Sequence, residues 1–132
     1  MSKFNFKLVI IAMTMFLLGC KRTTFDKDHD IAALGRPSKI EFYKHIEGQA
    51  PMHKTEPEFS LTEIVEIEDA MKEINGADNP EPWKGAGWDN IIITYADTTI
   101  KINTNRRKIG FSASGSFYDL NKNNFITKRI HD

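Results

Sequence analysis

Residues 90–102 read Asn-Ile-Ile-Ile-Thr-Tyr-Ala-Asp-Thr-Thr-Ile-Lys-Ile, and this pattern is the strongest indication of the fold class. Its two arms are rich in β-branched residues, which favour strands, and the second arm alternates apolar with polar positions. Ala96 and Asp97 lie between the arms and give the length of a tight turn. We therefore predict an antiparallel hairpin formed by residues 91–95 and 98–102.

Further strands are predicted on both sides of this hairpin. After it, residues 109–111 and 117–120 are apolar segments separated by Gly115. Before it, residues 39–46 show the alternation typical of a half-buried strand. The last segment, residues 125–130, fits either a short helix or an edge strand.

One amphipathic helix is predicted to begin after Ser60 and to end at Gly76. Ser60 and Glu63 have the spacing of a capping box, and Phe59 and Ile64 have that of a hydrophobic staple. The intervening apolar residues recur at helical spacing and predict one packed face. They are Ile64, Ile67, Met71 and Ile74.

Between the helix and the hairpin, residues 77–90 contain Pro, Gly and both tryptophans of the chain. This composition predicts a long loop. Trp83 and Trp88 can form a surface that contacts a partner, because aromatic side chains supply contact area at low entropic cost. The alternative is that they fold back over the edge of the sheet.

The first twenty residues have the pattern of an exported leader that ends at the only cysteine. A basic start precedes an apolar run over residues 8–18, and charged residues follow Cys20. The run is shorter than the roughly 20 residues that a membrane-spanning helix needs. The pattern predicts a signal peptide over residues 1–19. The alternative is a retained hydrophobic helix in which Cys20 is an inert buried thiol.

Residues 17–20, Leu-Leu-Gly-Cys, resemble the lipobox of bacterial lipoproteins. The resemblance implies cleavage between Gly19 and Cys20, lipid on Cys20, and a location in the cell envelope. Lys21, in place of aspartate, implies the outer membrane facing the periplasm if the cell is Gram-negative. Several acyl chains would make the anchor stable. Residues 20–37 are mostly polar, and we expect a lipid-anchored flexible spacer there.

The order of strand, helix and consecutive strands predicts a single α+β domain over residues 38–132, with one amphipathic helix packed on a small antiparallel sheet. The second half resembles several small secreted bacterial lipoproteins of unknown function in its hairpin, its Gly-Ser turn and the Tyr-x-Leu of residues 118–120. This resemblance implies a compact module used for binding, and it brings no catalytic residue to this chain.

Residues able to carry chemistry are few. The histidines do not have the spacing of common zinc sites, and we expect no metal and no cofactor. Ser114 stands where a Gly-x-Ser-x-Gly nucleophile motif requires glycine. Arg106, Arg107 and Lys108 can meet anionic headgroups or an acidic partner, or they can form a solvated turn. Basic and acidic residues balance at 18 each, so we expect no nucleic-acid partner.

These observations favour a non-enzymatic binding or inhibitory module of the cell envelope, anchored to the membrane through Cys20 and contacting an envelope protein. A structural or assembly lipoprotein, whose sheet edge pairs within a larger complex, is the alternative. An enzyme is the third hypothesis. It requires a concave site with convergent titratable groups.

Overall fold

The structure is a computed structural model that describes residues 23–46, 55–82 and 88–130. Over these residues it has the predicted α+β class, with an antiparallel sheet of seven strands and one long helix. In chain order the elements are α1 Phe25–His29, a 3₁₀ helix Ile31–Leu34, β1 Lys39–Tyr43, β2 Phe59–Leu61, α2 Ile64–Asn75, β3 Asp78–Pro82, β4 Asp89–Thr94, β5 Thr99–Thr104, β6 Lys108–Phe111 and β7 Ser116–Asp119.

The strands lie in the order β2-β1-β4-β5-β6-β7-β3, and all neighbours are antiparallel. The predicted hairpin is confirmed as β4 and β5, with Ile91 opposite Ile102 and Ile93 opposite Ile100. The strands predicted over residues 39–46, 109–111 and 117–120 are confirmed as β1, β6 and β7. Because β2 and β3 are the two edge strands, α2 between them crosses the whole sheet.

One face of the sheet, the covered face, packs against the helices and forms the core. In β1, Ile40 and Phe42 are fully buried opposite Ile93 and Ile91. Burying such a side chain stabilises the fold by about 1.5–3 kcal/mol. The helix α2 contributes four buried residues to this core, namely Ile67, Ala70, Met71 and Ile74.

The predicted start of the helix is wrong, whereas its end at Gly76 is confirmed. Ser60 lies in β2, where it pairs with Glu41, and the helix begins at Ile64 with Glu63 as its N-cap. Pairing of β2 with β1 buries Leu61 in the core. That burial outweighs the roughly 1 kcal/mol of an N-cap.

The prediction of a flexible spacer over residues 20–37 is wrong for residues 24–37. Phe25 is fully buried, Ile31 is 3% exposed, and the Phe25 amide donates to the Ala77 carbonyl at 2.8 Å. Phe25 stands alone among polar residues, and the apolar run that contains Ile31 covers only residues 31–34, so neither marks a core element in the sequence. The folded domain therefore begins before the predicted boundary at residue 38. Residues 1–22 lie outside the described residues.

The loop predicted over residues 77–90 is also wrong at both ends. Asp78–Pro82 forms the edge strand β3 beside β7, and β4 already begins at Asp89. Prolines are tolerated in an edge strand because a residue there can face solvent without donating to the ladder. Residues 83–87 lie outside the described residues.

The last segment is neither the helix nor the edge strand that the sequence left open. Residues 125–129 form turns, in which Phe125 and Ile126 are buried. The buried Asn124 holds them, since its Nδ2 donates to the Arg106 carbonyl at 2.7 Å and its Oδ1 accepts from the Ile126 amide at 2.9 Å. The segment therefore lies in the helix layer, beside α2.

In the part of the chain that the structure describes, we find no helix with both the length and the apolar character needed to cross a bilayer.

Candidate functional site

The second face of the sheet, the open face, has a polar composition with a few large aromatic residues. Strand alternation places these side chains opposite the core. They include Glu41, Tyr43, Asn90, Ile92, Lys101, Asn103, Lys108, Phe117 and Asp119. The described helices pack on the other face, so this face is the larger candidate surface for recognition.

The pair formed by Trp88 and Phe117 is the main aromatic feature of the open face. The two rings stack with their centroids 4.8 Å apart. Phe117 lies opposite Gly110, where a Cβ would collide with the Ser116 carbonyl oxygen and lie 3.0 Å from Phe117 Cδ1. Gly110 therefore makes the space into which Phe117 packs, and the half-buried Trp88 covers Phe117.

A small pocket of about 130 Å³ lies beside this pair, between Trp88, Phe117 and the end of β3. Its wall includes Lys108, whose Nζ donates to Asp119 Oδ1 at 2.7 Å and to Glu81 Oε2 at 2.9 Å. The hydrogen bond to Asp119 raises the pKa of Lys108, and the same bond lowers the pKa of Asp119. Pockets for small molecules usually measure about 300–1,000 Å³, so this one suits a single side chain of a partner.

The basic run does not form the patch that the sequence suggested. Lys108 pairs with acidic residues on the open face, whereas the Arg106 guanidinium lies 5.9 Å from the Phe42 ring on the covered face. Arg106 Nε also donates to Asp89 Oδ2 at 3.3 Å. Arg107 is exposed. The three cations are separated because Arg106 has a left-handed backbone, with φ at 77°, and the chain then enters β6.

A cluster that the sequence analysis did not find joins α1 to β7. The Tyr118 hydroxyl donates to Asp28 Oδ2 at 2.5 Å, and Thr23 Oγ1 donates to Asp28 Oδ1 at 2.5 Å. The hydrogen bond from Thr23, followed by that from Tyr118, lowers the pKa of Asp28. Burial and the Asp28 carboxylate raise the pKa of Tyr118 to about 12. No local motif signals this contact, because Asp28 and Tyr118 are far apart in sequence.

His29 lies in the same cluster, among three aromatic rings. Its ring centroid is 4.9 Å from those of Phe25 and Phe111 and 5.8 Å from that of Tyr118. Burial lowers the pKa of His29. Its Nε2 is buried without a hydrogen-bond partner among residues 23–46, 55–82 and 88–130. Among the residues that the structure describes, the groups around the imidazole are aromatic rings and the Asp28 carboxylate, with no serine or cysteine in the cluster.

A wider groove of about 380 Å³ separates the segment of residues 32–37 from α2. Pro37, Ile67 and Met71 give it an apolar floor. An ion pair between Arg36 and Glu68 at 2.9 Å lies at its rim, and both side chains are more than half exposed. Exposed pairs of this kind contribute about 0–1 kcal/mol, so the rim is weakly held.

The remaining predicted site residues are Gly19, Cys20 and Trp83, and all three lie outside the described residues. Among the residues that are described, no group of histidine, cysteine or acidic side chains has the arrangement of a metal site. The lipid anchor and the contact role of Trp83 therefore stay predictions.

Comparison with known proteins adds no assignment to this geometry. The chain matches no family model, no curated protein and no solved structure. Its function is accordingly argued from its own residues.

Proposed function

We propose that this protein is a lipid-anchored binding module of the cell envelope, which contacts a partner protein through the open face of its sheet. One observation carries this proposal. The covered face is filled by the protein's own helices, whereas the open face presents Trp88 and Tyr43 among polar and charged side chains. Interfaces commonly combine aromatic anchors with a polar surround.

The polar groups of the open face are held in place by hydrogen bonds. The Tyr43 hydroxyl donates to Glu41 Oε2 at 2.9 Å, and Asn103 Nδ2 donates to Asn90 Oδ1 at 3.2 Å. Side chains fixed on strands lose little freedom when a partner binds, so the entropic cost of association is small. This rigidity supports recognition by the face itself.

The geometry favours binding over catalysis. The small pocket beside Trp88 has room for one side chain, and its lysine is already engaged by two carboxylates. In the ranges that the structure describes, Lys108 is paired with Asp119 and Glu81, and Asp28 with Tyr118, so these groups do not converge on an open cavity. Acid–base catalysis requires such convergence on a substrate.

The two edge strands of the sheet disfavour the alternative of a structural or assembly lipoprotein, which requires an edge that pairs within a larger complex. Asp78, Pro80, Glu81 and Pro82 make β3 an exposed edge that carries charge and lacks two backbone donors. Charges and prolines at an edge discourage the addition of another strand. The other edge, β2, offers only three residues for pairing.

The anchor is tested by metabolic labelling with a radioactive fatty acid. We expect label on the wild-type protein and none on Cys20→Ser, since this is the only thiol available for acylation. Wild-type protein should sediment with membranes, and Cys20→Ser should not. Equal labelling of both proteins, or of neither, would contradict the anchor.

The binding face is tested by photo-cross-linking in intact cells. A photoreactive amino acid replaces Lys101 on the open face or, as a matched control, the equally exposed Lys72 on α2. We expect one specific adduct from position 101 and none from position 72. In the protein that carries the photoreactive residue at position 101, Trp88→Ala should reduce the yield of the adduct at least tenfold. An effect of this size is in the range of an aromatic hot spot.

Circular dichroism and thermal unfolding of Trp88→Ala separate a lost contact from a lost fold. Ser112→Ala, an exposed change in the turn between β6 and β7, should leave the adduct unchanged. Identical capture from positions 101 and 72 would contradict the assignment of the open face.

A further inference from the structure

The first residues that the structure describes, from Thr23 onward, are already attached to the domain. Thr24 forms an antiparallel bridge with Asp78, so it lies beside the edge strand β3. Phe25 follows it into the core and is fully buried. Thr23 stays close to the domain because Phe25, two residues further on, is fixed in the core, and Thr23 Oγ1 also donates to Asp28 at 2.5 Å.

The sequence leaves little length between this attachment and Cys20. Three residue steps separate Cys20 from Thr23. A fully extended chain covers at most about 3.3–3.6 Å per residue, so the two Cα atoms are within about 10 Å of each other. A lipid on Cys20 would therefore hold Thr23 close to the headgroups.

From this geometry we propose that the end of the sheet that carries Thr23 lies against the membrane surface, where Arg107 and Lys122 contact anionic lipid headgroups. The proposal rests on the lipid anchor of the proposed function. It adds an orientation that the anchor alone does not supply, because a long spacer would leave the domain free to rotate.

This anchor end is defined by Thr23, the β5–β6 turn at residues 105–107 and the turn at residues 121–123. Backbone pairing across neighbouring strands connects these parts. Thr24 pairs with Asp78, Asp78 with Asp119, and Asp119 with Lys108. Neighbouring strands are about 4.8 Å apart, so Thr24 lies about 14 Å from Lys108. The footprint is thus narrow enough for all three parts to reach one surface.

The two turns of the anchor end form one rigid unit. The Leu120 amide donates to the Arg107 carbonyl at 2.8 Å, and Asn124 Nδ2 donates to the Arg106 carbonyl at 2.7 Å. Arg107 and Lys122 are both exposed. Lys21 and Arg22 add two further cations in the connecting sequence, against the exposed acids Asp28 and Asp78. The balance favours an anionic surface.

The orientation has a consequence for the open face. The strands then rise from the membrane, and the turns at residues 95–98 and 112–115 point away from it. A strand of six residues is about 20 Å long, so these turns lie about that far from the anchor end. The open face would stand upright and be accessible from the aqueous side.

Energy transfer to the membrane measures this orientation. A single cysteine is placed at Asn123 in the anchor end or at Ala113 in the opposite end, and a donor dye is attached after lipid has consumed Cys20. Both positions are exposed. In anionic phosphatidylglycerol vesicles with a lipid-bound acceptor, we expect stronger quenching at 123 than at 113. Equal or reversed quenching would overturn the orientation.

Acylation of the same preparation is measured by mass. Protein without acyl chains would contradict the lipid anchor and, with it, the orientation that depends on the anchor. Acylated protein with equal quenching at both positions contradicts the orientation alone. A twelve-residue Gly-Ser insertion between Arg22 and Thr23 should keep the acyl chains and abolish the difference in quenching; a difference that survives the insertion would show that the short tether does not orient the domain.

A pair of matched charge variants tests the headgroup contact. Arg107→Gln with Lys122→Gln and Thr98→Glu with Ala113→Glu each lower the net charge by two, at opposite ends of the sheet. With the dye at 123, we expect the first pair to reduce quenching on phosphatidylglycerol vesicles and the second pair to leave it unchanged. Equal loss from both pairs would overturn the contact with headgroups.

Discussion

The two faces of the sheet differ in composition although the same strands build both. On the covered face the strand residues are mostly isoleucines, whereas the open face alternates polar and charged residues with Tyr43 and Phe117. The buried isoleucines of the covered face are Ile40, Ile91, Ile93, Ile102 and Ile109. The comparison indicates that the covered face supplies most of the buried apolar surface of the sheet, although Asn90 and Phe117 of the open face are also buried.

The largest expected effect comes from the covered face. Phe25→Ala should destabilise the protein by about 3–5 kcal/mol, because it removes a fully buried ring from beside Phe111 and Tyr118. Urea unfolding measures the loss. Leu34→Ala, in the same segment but 43% exposed, is the control and should cost under about 1 kcal/mol. Similar losses from both would show that residues 24–37 do not belong to the core.

On the open face, stability should fall when side-chain volume is added at Gly110. Gly110→Ala should cost about 1–3 kcal/mol, because the new methyl group meets the Ser116 carbonyl and the Phe117 ring. The same unfolding experiment, with Ser112→Ala as an exposed control, measures it. A neutral result would mean that Phe117 does not pack over Gly110.

Acid should weaken the covered face first through His29. Burial lowers the pKa of His29 below its ordinary 6.5, so the unfolded chain binds more protons than the folded chain. Stability should then fall as the pH drops from about 7 through 6.5 toward the folded pKa. The lowered pKa of Asp28 adds a second loss below about its ordinary 3.8. Both pKa shifts therefore make the folded protein less stable in acid.

Thermal unfolding between pH 5 and pH 8 measures this slope. His29→Phe should flatten it, since a ring without a titratable nitrogen can fill the same space between Phe25 and Phe111. Leu34→Ala, which removes no titratable group, should keep the wild-type slope. An unchanged slope in His29→Phe would assign the acid sensitivity to other groups.

The smallest effect is expected at the edge strand β2. Ser60→Ala should change stability by less than about 0.5 kcal/mol, because Ser60 is an exposed strand residue rather than a helix N-cap. A loss of about 1 kcal/mol in urea unfolding would instead indicate that its hydroxyl caps the helix.

Local sequence patterns were enough to predict the central part of this fold. The hairpin of β4 and β5 and the end of α2 at Gly76 depend on local patterns, namely β-branched arms about a short turn and a glycine after an apolar helical repeat. Each of these features depends on neighbours within a few residues.

Contacts between residues that are distant in sequence follow from tertiary packing. Asp28 and Tyr118 stand 90 residues apart, and Phe25 has no apolar neighbour in sequence that marks it as core. The edge strand β3 exists because β7 offers it a partner, although its prolines favour a loop. The basic run divides between two faces because strand alternation and the φ of Arg106 direct its members. Local propensity is weak wherever long-range pairing and burial supply more free energy.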